Sequence, residues 1–119
     1  MAKKILITED EKPLAKALEL KLQKEGFDAK AVFDGAEAVA ELKRQKYDLM
    51  LLDLVMPNQD GFATLEAIKN AGIKLPIIVS SNLSQEEDMK RAKELGAVDY
   101  FIKSDTPLTE VVSSIKKYL

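Results

Sequence analysis

The chain has 119 residues, of which 46% are hydrophobic and 32% charged, and its formal net charge at pH 7 is −2. This length and composition predict one globular domain spanning residues 1–119. The small net charge gives no general attraction to nucleic acid or to an acidic membrane. Because the sequence contains neither cysteine nor histidine, disulfides, thiolate or histidine metal sites, and catalysis by either residue type are excluded.

Apolar runs and amphipathic stretches alternate five times along the sequence. The predicted strands are Lys4–Thr8, Asp28–Phe33, Asp48–Asp53, Pro76–Ser80 and Val98–Ile102. The predicted helices are Pro13–Glu25, Ala36–Gln45, Phe62–Ala71, Gln85–Leu95 and Pro107–Tyr118. This alternation is typical of right-handed βαβ units around a parallel sheet. We therefore predict an α/β fold, a flavodoxin-like, doubly wound, five-stranded parallel sheet with strand order 2-1-3-4-5 and five helices.

Residues typical of helix ends flank several of the predicted helices. Three glycines suit left-handed C-terminal caps, namely Gly26, Gly72 and Gly96. Asp60 and Thr106 are predicted to cap the third and fifth helices, and residues 84–87 fit a capping box before the fourth.

Acidic residues follow two of the predicted strands. Glu9 and Asp10 come directly after the first strand, and Asp53 closes the third. In the predicted strand order these two strands are neighbours, so the carboxylates meet at the carboxyl edge of the sheet. Like charges brought together there resist ionising unless a cation screens them. The sequence therefore predicts a hard divalent metal beside Asp53, which is itself a candidate nucleophile.

A larger set of residues resembles a known family. It comprises the acidic pair Glu9-Asp10, the D-x-x-M-P-x-x-D-G segment of residues 53–61, the hydroxyl of Ser81 after strand 4 and Lys103 after strand 5. Each signal is weak alone, but the ordered set on this pattern of elements resembles the receiver domain of two-component response regulators over the whole chain.

The resemblance implies a magnesium site and a phosphorylation site. Asp53 is expected to accept a phosphoryl group as an aspartyl phosphate. Asp10, Asp53 and the backbone carbonyl of Val55 are expected to hold Mg²⁺ directly, and Glu9 is expected to reach the ion through water.

The resemblance also implies a phosphoryl-binding pair and a conformational switch. Lys103 and Ser81 are expected to contact phosphoryl oxygens. Movement of Ser81 toward the phosphate is expected to open space into which Tyr100 turns, which changes the surface made by the fourth helix, fifth strand and fifth helix.

The expected partners follow from the same resemblance. The expected phosphodonor is a histidine kinase or phosphotransfer protein, and the expected output is an unknown downstream effector protein, with a possible homodimer through the helix 4/strand 5/helix 5 surface. The small net charge predicts neither nucleic-acid nor membrane binding, and the apolar run Ile5–Thr8 is too short for a signal peptide or a membrane span, so we expect a cytoplasmic location. The resemblance implies no turnover chemistry beyond the protein's own phosphorylation and slow dephosphorylation. The protein is expected to be either a stand-alone regulator or a receiver from a longer protein.

Four positions depart from the family pattern or set its kinetics. Ser104 stands where the family usually has proline, so we predict a trans peptide bond after Lys103. Asn82 replaces a small residue and is expected to fill part of the access route to Asp53. Val55 and Leu83 cannot orient an attacking water, which predicts a long-lived phosphorylated state.

Three other functions are alternatives. A flavin-binding electron carrier shares the fold class, but residues 9–13 are acidic where a phosphate-binding loop is needed. A haloacid-dehalogenase-like phosphatase needs a second acid where Val55 stands. A pseudo-receiver would bind a partner without phosphorylation, and the intact acidic set argues against it.

Overall fold

Five strands and five helices alternate along the residues described by the structure, a computed structural model covering residues 2–56 and 60–119. The strands are β1 (Lys4–Thr8), β2 (Asp28–Val32), β3 (Leu49–Leu52), β4 (Ile77–Ser81) and β5 (Ala97–Ile102). The helices are α1 (Lys12–Lys24), α2 (Gly35–Arg44), α3 (Gly61–Asn70), α4 (Glu86–Glu94) and α5 (Leu108–Lys117). A short 3-10 turn, Lys103–Asp105, joins β5 to α5.

The sheet is parallel and has the order β2-β1-β3-β4-β5, which confirms the predicted fold class. The strand ends differ from the prediction by at most one residue. β3 ends at Leu52, so Asp53 is the first residue beyond it, whereas β4 extends to Ser81. Within residues 2–56 and 60–119, no helix is both long and apolar enough to cross a bilayer.

Alternate strand residues divide the core between the two faces of the sheet. On β1, Ile5 and Ile7 pack with apolar residues of α1 and α5, whereas Leu6 packs with those of α2, α3 and α4. Both faces are covered because strand side chains point alternately to opposite sides. Each such side chain, fully buried, contributes roughly 1.5–3 kcal/mol of hydrophobic stabilisation. The resulting rigid sheet fixes the positions of the strand ends.

The helix ends confirm part of the predicted capping. Gly26, Gly72 and Gly96 all have positive φ, as predicted. Asp60 caps α3 by accepting a hydrogen bond from the Ala63 N–H at 2.8 Å. The other two predictions are wrong.

The wrong predictions concern the starts of α4 and α5. The Thr106 hydroxyl donates to the Ile102 carbonyl at 2.9 Å, and Pro107 occupies the cap position of α5. At α4 the cap position falls on Gln85, and among the described residues its side chain makes no capping bond. In the β4–α4 and β5–α5 connections, the helix therefore begins at a different residue from the one that the capping pattern in the sequence predicts.

Candidate functional site

The carboxyl ends of β1 and β3 lie side by side. Thr8 is the register partner of Leu52, and the Asp53 N–H donates to the Thr8 carbonyl at 3.0 Å. Glu9 and Asp10 therefore leave the sheet at the same edge as Asp53. This is the strand adjacency that the sequence predicted.

Glu9, Asp10 and Asp53 form an acidic cluster in which one oxygen from each carboxylate lies within 4.8 Å of the other two. Glu9 and Asp53 are buried, with 3% and 6% of their surface exposed, whereas Asp10 is partly open to solvent. Carboxylates this close repel one another unless a cation lies among them. Carboxylate oxygens with a solvent-open side are the donors that Mg²⁺ takes while keeping several waters. The donor set therefore fits Mg²⁺.

Lys103 contacts this cluster from the turn after β5. Its Nζ lies 3.0 Å from Oδ2 of Asp53 and 2.6 Å from Oε1 of Glu9. The ammonium group thus bridges two buried carboxylates, and it is itself mostly buried. Glu9, expected from the resemblance to reach a metal through water, also accepts a hydrogen bond from the Glu11 N–H at 3.0 Å.

Burial and ion pairing act in opposite directions on these groups. Burial raises the pKa of Glu9, and its hydrogen bonds to Lys103 and the Glu11 N–H reduce this increase without cancelling it. For Lys103, burial lowers the pKa, but hydrogen bonds to Glu9 and Asp53 outweigh burial and leave the pKa above its ordinary value. Lys103 is therefore held in its charged form.

Ser81 and Tyr100 both bond to Leu83. Ser81 is fully buried, and its Oγ accepts a hydrogen bond from the Leu83 N–H at 3.3 Å. The Tyr100 hydroxyl donates to the Leu83 carbonyl at 2.6 Å. Burial is the main cause that raises the pKa of Tyr100. The half-buried ring of Tyr100 is thus already turned toward the loop that follows β4, rather than outward.

A pocket opens above Asp53. Its lining residues are Asp10, Glu11, Asp53, Val55, Asn82, Leu83 and Lys103. The Val55 N–H donates to Oδ1 of Asp53 at 3.2 Å, and the Val55 side chain is 57% exposed at the mouth. Asn82 lines the mouth as expected, but its Oδ1 accepts a hydrogen bond from the Ser104 N–H at 2.9 Å. The peptide bond between Lys103 and Ser104 is trans, as predicted.

Gly61 has a structural role that the sequence analysis did not identify. A Cβ at this position would lie 2.5 Å from Cα of Leu54 and 2.8 Å from the carbonyl oxygen of Asp53. In the sequence, Gly61 stands out only as the last residue of the D-x-x-M-P-x-x-D-G segment, and no local signal indicates a close backbone contact. The glycine allows the start of α3 to approach the backbone that follows Asp53. Residues 57–59 of the predicted motif lie outside the described residues.

Solved structures resemble the fold over nearly its full length. The receiver domain of Francisella response regulator 1452 is 28% identical, with a TM-score of 0.91 over 98% of this chain and 95% of that one. The BeF3-activated N-terminal receiver domain of Klebsiella pneumoniae RstA is 26% identical, with a TM-score of 0.89 over 98% and 97%. Vibrio cholerae CheY4, a chemotaxis response regulator, is 21% identical with a TM-score of 0.91 over both whole chains, which is a likeness of fold.

A family model matches most of the sequence. The response regulator receiver domain model aligns with residues 5–115, a range that includes the acidic cluster, Ser81 and Lys103. The family resemblance seen in the sequence motifs is thereby confirmed. With its five-stranded parallel sheet and its acidic strand ends, this chain belongs to the receiver domains of two-component response regulators.

Proposed function

We propose that the chain takes a phosphoryl group from a histidine kinase or phosphotransfer protein onto Asp53. The observation that carries the proposal is the environment of this side chain. Asp53 is buried at a strand end, within 4.8 Å of two further carboxylates, and Lys103 lies 3.0 Å from its Oδ2. A buried carboxylate with a cation at one oxygen and an open pocket above it is suited to nucleophilic attack.

The reaction joins Asp53 to phosphorus. A carboxylate oxygen of Asp53 attacks the phosphorus of a phosphohistidine, and the phosphorus–nitrogen bond breaks as the new phosphorus–oxygen bond forms. The imidazole nitrogen keeps the bonding electron pair and can then take a proton. The product is a mixed carboxylic–phosphoric anhydride on Asp53, later hydrolysed by water, so the chain is consumed and regenerated slowly rather than turning over as an enzyme.

The acidic cluster supplies the metal site in this proposal. Asp10, Asp53 and the carbonyl of Val55 would hold Mg²⁺, with Glu9 acting through water. Bound Mg²⁺ would offset the negative charge of the carboxylates and the phosphoryl oxygens.

Lys103 and Ser81 are the proposed contacts to the transferred group. The Lys103 ammonium would stabilise a phosphoryl oxygen as a point charge. Ser81 accepts from the Leu83 N–H through its oxygen, which leaves its hydroxyl hydrogen to donate to a second phosphoryl oxygen. A shift of Ser81 would strain its hydrogen bond with the Leu83 N–H. Because the Tyr100 hydroxyl donates to the Leu83 carbonyl, the same shift would also affect Tyr100.

The proposed output is a change of the surface formed by α4, β5 and α5. This surface would exist in two conformations, and phosphorylation of Asp53 would change their relative populations through movements of Ser81 and Tyr100. The surface would then bind an unknown effector protein or a second copy of the chain.

Mass spectrometry of the intact protein with acetyl phosphate tests the proposal. With Mg²⁺ the wild type should gain one phosphoryl group, and Asp53→Ala should gain none. Asp28→Ala is the matched control, since Asp28 is an exposed aspartate at the amino end of β2. Failure of the wild type to gain mass would overturn the proposal and favour a phosphorylation-independent pseudo-receiver.

A further inference from the structure

Asn82 joins two loops that border the pocket above Asp53. It follows β4 directly, and its Oδ1 accepts a hydrogen bond from the Ser104 N–H in the turn after β5, at 2.9 Å. The residues lie 22 positions apart in the chain. The bond is possible because residue 104 is not a proline, which would have no N–H to donate.

This bond connects the neighbours of two proposed phosphoryl contacts. Asn82 is bonded covalently to Ser81, and Ser104 to Lys103. The Thr106 hydroxyl donates to the Ile102 carbonyl at 2.9 Å, and this bond closes the 3-10 turn that contains Lys103. The bond from Ser104 to Asn82 ties the same turn to the loop after β4. The backbone of Lys103 is therefore constrained by one bond within the turn and one bond to a second loop.

The orientation of the Asn82 amide follows from the same contact. A backbone N–H can bond only to the carbonyl end of a side-chain amide, because the NH₂ end is a donor. The oxygen of Asn82 therefore faces Ser104, and this fixes which end of the amide is engaged. The side chain of Asn82 is thus bonded to the turn that begins at Lys103, although both Asn82 and Ser104 are exposed.

We propose that Asn82 is a positioning residue, which through the Ser104 N–H holds Lys103 where its ammonium group meets Asp53. The inference rests on the proposed function of Asp53 and extends it to a residue whose side chain acts through the backbone beside Lys103. Without the Asn82 acceptor the Lys103–Asp105 turn is free to move, and the Lys103 ammonium group then interacts more weakly with a phosphoryl oxygen. Mg²⁺ binding by Asp10, Asp53 and the Val55 carbonyl is left nearly unchanged.

The first test uses the isotopically labelled full chain without any phosphodonor. Nuclear magnetic resonance should show faster exchange of the Ser104 amide hydrogen and shifted ε-methylene signals of Lys103 in Asn82→Ala. Asn82→Asp keeps an acceptor oxygen and should retain slow exchange at Ser104. Ser84→Ala, an exposed change in the same loop, should alter neither signal. Unchanged Lys103 signals in Asn82→Ala would overturn the proposal.

The second test measures binding of Mg²⁺ alone and of beryllofluoride, a phosphoryl mimic, in the presence of Mg²⁺. Asn82→Ala should weaken beryllofluoride binding by about five-fold, the effect of one hydrogen bond, while Mg²⁺ affinity stays within about two-fold of wild type. An equal loss of both affinities would contradict a positioning role. Absence of beryllofluoride binding in the wild type would instead count against Asp53 as phosphoacceptor, and the resonance test would still decide the role of Asn82.

Discussion

Gly61 lies directly against the backbone of Leu54, to which its N–H donates a hydrogen bond at 2.8 Å. A Cβ on Gly61 would come within 2.5 Å of Cα of Leu54, and that backbone atom cannot move aside as a flexible side chain would. Gly61→Ala should therefore lower the free energy of unfolding by about 1–3 kcal/mol, as overpacking does. Urea denaturation gives this value directly.

Gly72→Ala is the control for Gly61→Ala. Gly72 has φ of 72° after α3, and a Cβ there meets nothing within 4 Å, so its replacement strains the backbone without crowding Asp53. Both variants should lose stability, but only Gly61→Ala should weaken Mg²⁺ binding, because it displaces the chain after Asp53. Equal Mg²⁺ affinities in the two variants would show that Gly61 has no connection to the site.

The environment of Glu41 should make the free energy of unfolding depend on pH. Its buried carboxylate accepts from Arg44 and from the hydroxyl of Tyr47. The Arg44 hydrogen bonds, followed by that of Tyr47, hold the pKa of Glu41 well below its usual range despite the opposing effect of burial. Because the pKa is depressed in the folded state, the stabilisation is present above the ordinary carboxylate pKa of 4.5 and is lost as the pH falls below it.

Glu41→Gln should destabilise the protein at neutral pH by about 1–2 kcal/mol, since it removes charge-assisted hydrogen bonds. The difference from wild type should shrink as the pH falls below 4.5. Urea denaturation across this pH range measures it, with the exposed Glu66→Gln on α3 as the control. A difference that does not vary with pH would mean that the carboxylate charge of Glu41 contributes nothing.

Lys103→Met should destabilise the metal-free protein by about 1–3 kcal/mol, because Glu9 and Asp53 lose their shared cation while remaining buried. Mg²⁺ should recover part of the loss by binding the folded state. Thermal unfolding with chelator and with Mg²⁺ provides both values. Lys116→Met removes an exposed ion pair with Glu25 and should have a smaller effect. A Lys103 variant as stable as wild type in chelator would refute this electrostatic role.

Val55→Asn should shorten the lifetime of phosphorylated Asp53. Val55 is 57% exposed at the pocket mouth, and an apolar side chain there cannot orient an attacking water. An amide can do so, and we expect hydrolysis about five- to ten-fold faster, the effect of roughly one good hydrogen bond in the transition state. Loss of the phosphoryl mass with time measures the rate.

Leu20→Asn is the matched control for Val55→Asn, because Leu20 is 53% exposed on α1 and does not line the pocket. It should hydrolyse at the wild-type rate. A wild-type phosphoryl group lost within seconds would contradict the long-lived state, and an unchanged rate in Val55→Asn would contradict the role given to Val55.

The strand order and the adjacency of Asp10 and Asp53 were predictable from the sequence. Buried parallel strands read as apolar runs, and the connection rules then leave few topologies. The positions of Asp53 and Lys103 were predictable for the same reason. Each follows a strand directly, and the rigid sheet fixes where that strand ends.

Contacts between loops were not predictable in the same way. The failure of Thr106 as a cap, the bond from Ser104 to Asn82 and the inward position of Tyr100 all depend on the path of connections that no periodic pattern encodes. The role of Gly61 was unpredictable for the same reason. A side chain at this position would collide with the backbone of Leu54, seven residues earlier in the chain. Single residues in turns satisfy several local rules at once, and tertiary packing selects among them.

The most direct measurement of the central claim is the position of the phosphoryl group in the chain. After treatment with acetyl phosphate, borohydride reduction converts an aspartyl phosphate to homoserine, which peptide mass spectrometry locates. We predict Mg²⁺-dependent conversion at Asp53. Conversion at another acidic residue, or equal conversion at Asp53 when chelator replaces Mg²⁺, would contradict the account.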